Sequence, residues 1–355
     1  MREDKGMSKK QKGTVLKAIL LMALTVLCLV GCTSTDKESV AVTEEENDKI
    51  QIGFSMDSYL IERWQRDRDV FVSKAQELGA EVNVQNANGV VEEQISQIEY
   101  FIEKNVDVIV IVAIDGNTLT EVVEKAKKSG IKVIAYDRLI HNADVDLYIS
   151  FDNEKVGSLM ATYLKKAVGN DATLIRILGS PADSNVEMAD NGFNSVIEDT
   201  NITVDIKEYA DGWLAETGYT VTSDYLATGK VPHGIMCGND GIAAQAIKAL
   251  SENRLAGNVF VVGQDADLDA CQRIVEGTQY MTVYKPIETL AQTAAEIAVS
   301  MAEGKAHETE DMINDGTFDV PYEKLEPIAV TKENMDEVII GKYHQKSDVY
   351  LNVQE

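Results

Sequence analysis

Charged and amide side chains recur in this sequence where an apolar, strand-like run ends or the next helix begins. Asp137-Arg138 directly follows the apolar run 133–136, which is typical of a strand buried on both faces. Ligands of parallel α/β sheets bind just beyond the carboxyl ends of the strands, which is where this pair would lie. Five similar clusters lie at 62–64, 179–185, 211–213, 238–240, and at 263–267 together with 284–286.

The residue types in these clusters are suited to binding sugar hydroxyls. Asp and Asn oxygens, together with Arg and Lys donors, bind neighbouring hydroxyls through paired, charge-assisted hydrogen bonds. Tryptophan adds a flat apolar face for the C–H surface of a sugar, and both tryptophans of the chain, Trp64 and Trp213, lie in the clusters. The charges balance, with Asp137, Asp183 and Asp265 against Arg63, Arg138 and Lys285. This balance favours a neutral polyol over a phosphate or an acidic sugar.

Each cluster alone also has a purely structural explanation. Asp and Asn are common helix N-caps, and four such residues stand where a helix is expected to begin: Asp183, Asn185, Asp240 and Asp267. An Asp-Arg dipeptide such as 137–138 is often a surface ion pair in a turn. The ligand-binding interpretation therefore rests on the six clusters occurring together in one chain.

Apolar strand-like runs alternate with helical patterns from residue 50 to residue 303. Repeated βαβ units of this size require parallel strands with right-handed crossovers, and hence sheets covered on both faces. Because no Pro- or Gly-rich linker separates the halves, the sequence predicts an α/β fold of two Rossmann-like lobes that share crossing strands. We expect the first lobe at 50–150 plus 266–284, the second at 151–265 plus 285–330, and a tail at 331–355.

The first residues have the pattern of an export signal. Lysines at 9, 10, 12 and 17 precede an uncharged, mostly apolar run at 18–31 that is short for a membrane span. The run ends in Leu29-Val30-Gly31-Cys32, which resembles a bacterial lipobox. This pattern predicts a lipoprotein signal peptide at 1–31, a lipidated Cys32 and a flexible acidic tether at 32–49. The alternatives are a soluble export signal cleaved nearby and an uncleaved anchor.

The charge of the chain excludes one large class of partners. Its 59 acidic residues outnumber 33 basic ones, so the formal net charge is −26. Nucleic-acid binding needs a basic face, and we therefore expect no nucleic-acid partner. A DNA-binding repressor with the same two-lobed fold is also disfavoured, because an export signal and an acidic tether stand where a helix-turn-helix would be needed.

Catalytic and metal sites are not indicated either. The four histidines, at 141, 233, 307 and 344, lie outside the clusters, so no base is offered to a nucleophile. Beyond Cys32 only Cys237 and Cys271 remain, too few for a disulfide framework. The acidic residues at 265, 267, 269 and 276 match a calcium-loop register, but Ala270 stands where that loop requires glycine. We expect no enzyme activity, no cofactor and no metal.

Seven segments carry a family resemblance over about residues 50–330. They are GFSMDSYLIERWQRDRDVFV, VIAYDRLI, YISFDNEKVG, GSPADSN, DGW, GQDAD and MTVYKPI. These segments resemble the periplasmic sugar-binding proteins of ABC transporters, of the ribose/galactose type, and within that family the branch that binds D-xylose. The resemblance implies the type I periplasmic binding protein fold, with three crossing strands at about 149–152, 264–266 and 283–286 that let the lobes close on a ligand.

The same resemblance implies which residues contact the ligand. In the first lobe they would be Arg63, Trp64, Asp137 and Arg138, and in the second lobe and hinge Asp183, Asn185, Trp213, Asn239, Asp265 and Lys285. It further implies a monomeric extracytoplasmic protein, lipid-anchored if the lipobox at Cys32 is used, that delivers D-xylose or a related monosaccharide to an ABC permease and its ATPase. Two alternatives stay open: presentation of the sugar to a sensor kinase or chemoreceptor, and specificity for another aldose such as glucose or ribose.

Overall fold

Thirteen strands and eleven helices build residues 49–353, the part of the chain that the computed structural model describes. The strands are β1 (Gln51–Met56), β2 (Glu81–Asn86), β3 (Val108–Ile111), β4 (Lys132–Tyr136), β5 (Leu147–Phe151), β6 (Thr173–Leu178), β7 (Thr203–Tyr209), β8 (Gly234–Cys237), β9 (Phe260–Gln264), β10 (Met281–Tyr284), β11 (Met312–Asn314), β12 (Asp319–Leu325) and β13 (Ile328–Val330).

The helices lie between these strands and after them. They are α1 (Arg63–Glu77), α2 (Val91–Glu103), α3 (Thr120–Lys128), α4 (Asn153–Val168), α5 (Ser184–Ile197), α6 (Glu216–Ala227), α7 (Asp240–Glu252), α8 (Leu268–Glu276), α9 (Ile287–Ala302), α10 (Met335–Val338) and α11 (Lys346–Val349). A short 3₁₀ turn spans Asp211–Trp213.

The strands form two sheets, one in each lobe. The first sheet has the order β11-β12-β5-β4-β3-β1-β2 and the second the order β13-β10-β9-β8-β6-β7. Neighbouring strands are parallel except at one edge of each sheet, where β11 pairs with β12 and β13 pairs with β10 in antiparallel fashion. This arrangement confirms the predicted fold of two parallel-dominant lobes with flanking helices.

Strand β3 shows why these sheets are covered on both faces. All four of its residues are buried, and successive side chains point to opposite faces of the sheet. Val108 and Val110 pack in one core with α1 and α9, whereas Ile109 and Ile111 pack in a second core with α2 and α3. The uninterrupted apolar run of this strand is therefore what a doubly covered parallel sheet requires.

The chain crosses between the sheets three times, and two of the crossings lie where the sequence predicts them. They follow β5 near residue 152, β10 at 285–286, and β12 at 326–327. The predicted crossing at 264–266 is wrong, because β10 pairs in parallel with β9, with Met281 opposite Val262. The chain therefore stays in the second lobe through α8, and the third crossing comes later.

The lobe boundaries after residue 265 are corrected accordingly. Residues 266–284 were expected in the first lobe, but β10 belongs to the second sheet. Residues 285–330 were expected in the second lobe, yet α9 packs its Leu290 and Ala294 into the core of the first lobe and β12 pairs with β5. Only β13 returns to the second sheet.

The segment after residue 330 is folded, although the sequence predicts only a tail there. Met335, Ile339 and Val349 are buried in a core that also includes Ile274 of α8 and Tyr284. The predicted signal peptide at 1–31, the lipidated Cys32 and residues 32–48 of the tether lie outside the described residues. Within residues 49–353, no helix has the length and apolar character needed to cross a membrane.

Candidate functional site

A cavity of about 330 Å³ lies between the lobes and is lined by residues of both. The lining residues are Ile61, Arg63, Trp64, Asp137, Arg138, Asn153, Asp183, Asn185, Trp213, Gln264, Asp265 and Lys285. The structure thus brings together nine of the ten predicted ligand-binding residues, with Asn239 as the exception.

Arg63 is held in one orientation by a carboxylate on its own helix. Its Nε donates to Asp67 Oδ2 at 3.0 Å and its Nη2 to Asp67 Oδ1 at 2.8 Å, while Nη1 reaches Asp137 Oδ2 at 2.9 Å. Tyr136 at the end of β4 donates its hydroxyl to Asp67 Oδ1 at 2.5 Å. Burial alone would raise the pKa of Asp137, but Arg63 and Lys285 hold that pKa below its usual value. Asp137 is therefore an ionised acceptor at the cavity wall.

Arg138 connects the two lobes across the cavity. Its Nη1 donates to Asp57 Oδ2 at 2.7 Å and to the Ala113 carbonyl at 2.9 Å, both in the first lobe. Its Nε lies 2.8 Å from Oδ2 of Asp183 in the second lobe. Asp183 also accepts the Asn185 N–H at 3.0 Å and so caps α5. Asp183 is therefore both the N-cap of α5 and a residue of the cavity wall, and its position in the sequence is consistent with both roles.

Asn185 makes a second contact between the lobes. Its Nδ2 donates to the Asp137 carbonyl at 2.9 Å, and its Oδ1 accepts from Tyr148 Oη at 3.0 Å and from Asn153 Nδ2 at 2.9 Å. Asp137 itself has a positive φ of 66°, a conformation that Asp and Asn tolerate better than most residues. These bonds fix the turn that carries Asp137 and Arg138.

The two tryptophans lie on opposite lobes with their indole nitrogens buried. Arg63 stacks on Trp64, with Cζ 4.5 Å from the ring centroid. Trp213 lies against Gly179, where a Cβ would stand 2.2 Å from the indole Cη2, so only glycine leaves space for the ring. Neither indole Nε1 has a hydrogen-bond partner among the described residues. Buried donors of this kind normally have a partner, and a ligand between the lobes would supply one.

Asp265 and Lys285 complete the lining from the second lobe and the hinge. Lys285 Nζ lies 2.7 Å from Asp265 Oδ1, and both side chains are buried. Gln264, the last residue of β9, donates its Nε2 to the Gly238 carbonyl at 2.5 Å. The strand ends β9 and β10 therefore deliver a paired carboxylate and ammonium to the same wall.

Asn239 is the N-cap of α7, one residue before Asp240, the residue that the sequence suggested as the cap. Its Oδ1 accepts the Ile242 N–H at 2.9 Å and caps α7, and the residue is absent from the cavity lining. A ligand contact by Asn239 stays a prediction. Three lining residues were missed by the sequence analysis: Ile61, Asn153 and Gln264. Gln264 lies inside the cluster at 263–267, and Asn153 follows the end of β5, so the position of both residues at a strand end could have identified them. Nothing in the sequence singles out Ile61.

The lining suits a neutral, many-hydroxyl ligand with one apolar face. The cations Arg63, Arg138 and Lys285 are each paired with a carboxylate, so the wall offers acceptors and donors in similar number. Tryptophan faces supply apolar contact for C–H groups. Among the described residues, those that line this cavity include no histidine, cysteine or serine.

A larger cavity lies elsewhere, on the second lobe alone. Its lining includes Tyr163, Phe260, Tyr280 and Lys332, and it shares no residue with the cavity between the lobes. We assign the candidate site to the smaller cavity, because six buried charged side chains from both lobes converge there.

Known proteins similar to this chain share the architecture. A family model described as a periplasmic binding protein domain matches residues 52–306. A D-xylose-binding periplasmic protein of Haemophilus influenzae is 44% identical over 331 residues, which cover 92% of this chain and 98% of the relative. One from Escherichia coli is 44% identical over 334 residues, covering 92% and 100%.

A solved structure agrees with these sequence similarities. An ABC transporter solute-binding protein of Clostridium phytofermentans, with bound β-D-glucose, has 28% identity and a TM-score of 0.77, covering 84% of this chain and 99% of that chain. The resemblance inferred from the sequence segments is thereby confirmed. The chain belongs to the periplasmic binding protein family, and it is an extracytoplasmic binding protein rather than an enzyme.

Proposed function

We propose that this protein binds D-xylose between its two lobes and delivers it to an ABC permease. The observation that carries the proposal is the interlobe cavity, where three buried cation–carboxylate pairs and two tryptophans converge. The relatives named D-xylose-binding periplasmic proteins support the choice of sugar, since they are 44% identical over nearly the whole chain.

Recognition would rest on hydroxyl groups that bridge charged partners. A ring hydroxyl both donates and accepts, so it can donate to a carboxylate such as Asp137 and accept from a cation such as Arg63. The unpaired Nε1 donors of Trp64 and Trp213 add one donor from each lobe. A pentose pyranose lacks the hydroxymethyl group of a hexose, and that extra group would displace a paired side chain. Leaving a buried polar group unpaired costs about 1–3 kcal/mol, which favours the pentose.

Closure of the lobes follows from contacts that span the cavity. The sugar binds first to one lobe, and the second lobe closes by rotation about the three crossings. A ligand shifts such an equilibrium only by its differential affinity for the closed state. Contacts from second-lobe residues such as Asp265 and Trp213 supply that difference, so their loss should weaken binding and closure together.

Intrinsic fluorescence tests the ligand directly, because both tryptophans of the chain line the cavity. Residues 33–355 would be titrated with xylose, glucose, ribose and arabinose, with calorimetry on the same samples. We expect a saturable change with xylose and weaker or absent responses to the others. A response to glucose alone would indicate that the ligand is glucose, the sugar bound in the solved relative. No fluorescence change with any of the four sugars would contradict the proposed site.

Anchoring and delivery need a separate test. We propose that Cys32 carries the lipid that holds the protein at the outer face of the membrane, as a monomer that meets a permease and its ATPase. Wild type should take up radiolabelled palmitate and fractionate with membranes, and Cys32→Ala should do neither. Loss of xylose uptake in a strain lacking the protein, restored by wild type, would support delivery. Intact uptake in that strain would favour presentation to a sensor instead.

A further inference from the structure

The turn that carries Asp265 into the cavity has an unusual backbone. Asp265 and Ala266 both have positive φ values, 98° and 55°, between the end of β9 and the start of α8. Non-glycine residues seldom adopt this conformation, and two in succession persist only where the surroundings hold them. Because Asp265 pairs with Lys285 at the cavity wall, whatever holds the turn also sets the position of that pair.

Strand β10 holds one side of the turn. The Asp265 N–H donates to the Val283 carbonyl at 2.8 Å, and the Ala266 N–H donates to Thr282 Oγ1 at 3.2 Å. These bonds satisfy the N–H groups of Asp265 and Ala266 but not the Ala266 carbonyl. Ala266 is completely buried, so this carbonyl needs a partner from the protein.

The C-terminal segment supplies that partner. His344 Nε2 lies 2.8 Å from the Ala266 carbonyl and donates to it, while the Cys271 thiol, a weaker donor, lies 3.5 Å away. The preceding residue helps to place His344, because the ring of Tyr343 packs against the ring of Tyr284 with centroids 4.9 Å apart and planes inclined at 42°.

The same segment also contacts the first lobe. Arg66 on α1 stacks on Tyr343, with Cζ 4.4 Å from the ring centroid, and its Nη1 donates to the Tyr343 carbonyl at 2.8 Å. Arg66 is ion-paired with Glu288 of α9. Helix α1 is the element that carries Arg63 and Trp64, so residues 343–344 touch elements that line the cavity from both lobes.

We propose that His344 is a positioning residue for the ligand site: its hydrogen bond holds the Asp265–Ala266 turn, and residues 343–344 brace that turn against α1. The inference rests on the proposed function for its binding readout. The segment 331–353 would thereby support the ligand site, although it contributes no side chain to the cavity lining.

Two amide substitutions separate the hydrogen bond from general packing. His344→Gln keeps a donor at nearly the distance of Nε2, whereas His344→Asn, one methylene shorter, cannot reach the Ala266 carbonyl. The control is Tyr350→Phe, which removes a hydrogen bond to Asp336 within the same segment and touches neither the turn nor α1. Losing one hydrogen bond predicts a roughly three- to tenfold weaker xylose affinity for His344→Asn. His344→Gln and Tyr350→Phe should bind within about twofold of wild type.

Hydrogen exchange of the ligand-free protein gives a readout that needs no sugar. Peptides spanning 263–271 should exchange faster in His344→Asn than in wild type, and at the wild-type rate in His344→Gln. If His344→Asn binds and exchanges like wild type, or if His344→Gln is as impaired as His344→Asn, the positioning role is wrong. If wild type binds no sugar at all, the proposed function is wrong. The hydrogen-exchange rates of the Asp265–Ala266 turn then decide by themselves whether His344 holds that turn.

Discussion

Arg63 and Asp67, one turn apart on α1, share two hydrogen bonds that use one whole edge of the guanidinium. On the cavity side of the guanidinium, Nη1 donates to Asp137 Oδ2 at 2.9 Å. Asp67 is fully buried and also accepts the Tyr136 hydroxyl, so its position is fixed from a second direction. The orientation of a cavity-lining arginine is thus set by two residues that do not line the cavity.

Replacing Asp67 by Asn should weaken both the fold and the site. Breaking a buried ion pair costs about 3–5 kcal/mol, and we expect roughly 3 kcal/mol here because Asn keeps one acceptor and Asp137 still pairs with Arg63. The freed guanidinium should lower xylose affinity by about tenfold, or ~1.4 kcal/mol. Urea unfolding and calorimetry measure the two effects.

The matched control lies two residues further along the same helix. Asp69 pairs with Arg68 and its side chain is 67% exposed, so Asp69→Asn should change stability by no more than about 0.5 kcal/mol and leave affinity unchanged. If the Asp67→Asn and Asp69→Asn variants had the same stability and the same xylose affinity, the hydrogen bonds from Asp67 would not be needed to orient Arg63.

Gly179→Ala tests the space beneath Trp213. The added Cβ would stand 2.2 Å from the indole, so the ring must move out of its place at the cavity. We expect about tenfold weaker xylose binding and a stability loss of roughly 1–3 kcal/mol from overpacking. Fluorescence of the ligand-free variant should shift as well, because Trp213 is one of two tryptophans.

Gly241→Ala on α7 is the control for this substitution. A Cβ there would meet nothing closer than Asn239 Oδ1 at 3.5 Å, an ordinary contact, so affinity and fluorescence should match wild type. If Gly179→Ala also bound xylose normally, Trp213 would not be a ligand contact.

The helices and strands of this structure can be predicted from local sequence patterns. The alternation of β3, α3 and β4 follows from apolar runs and helical periodicity alone, and the strand-end rule places Asp137, Arg138, Asp183 and Asp265 near one another. These features are local, because each strand end carries its own polar residues and the parallel sheet then gathers the ends at one edge.

The parts that the sequence did not predict depend on long-range packing. Asp67 appears as a polar residue in an amphipathic helix, and only the fold shows that it lies under Arg63. The wrongly predicted crossing at 264–266 also depends on long-range packing. The alternation of strands and helices through β9, α8 and β10 is the same whether or not the chain changes lobe there. Asp183 and Asn239 are both N-caps in the structure, and the relative placement of the lobes decides which of them also reaches the cavity.

Asp183 allows the interlobe ion pair to be separated from the helix cap. Asn is as good an N-cap as Asp, so Asp183→Asn should keep the bond to the Asn185 N–H while losing the charge opposite Arg138. We expect weaker xylose affinity and incomplete closure with sugar, measured by calorimetry and by the small-angle scattering radius.

Asp183→Ala removes the cap as well as the charge. Its affinity loss should equal that of Asp183→Asn, with a further stability loss of about 1 kcal/mol in urea unfolding. Full closure and wild-type affinity in Asp183→Asn would instead mean that the Arg138–Asp183 contact contributes nothing to the closed state.

Asp240 is a buried carboxyl that should make stability depend on pH. Its Oδ1 accepts from Gln279 Nε2 and its Oδ2 from Thr282 Oγ1, each at 2.7 Å. Burial, together with the nearby charge of Asp265, raises the pKa of Asp240 from 3.8 to about 7, and burial with the charge of Asp240 also raises the pKa of Asp267. The folded protein therefore binds more protons here than the unfolded chain between about pH 4 and pH 7.

A raised carboxyl pKa makes this residue's contribution to stability fall as pH rises through that window. Asp240→Asn cannot ionise, so its free energy of unfolding should rise relative to wild type from pH 5 to pH 8, by on the order of 2 kcal/mol, and then level off. Urea unfolding at pH 5, 6, 7 and 8 measures this difference, and the exposed Asp199→Asn controls for the loss of one carboxylate from the chain. A difference between Asp240→Asn and wild type that does not change with pH would mean that Asp240 is already ionised at pH 5 in the folded protein.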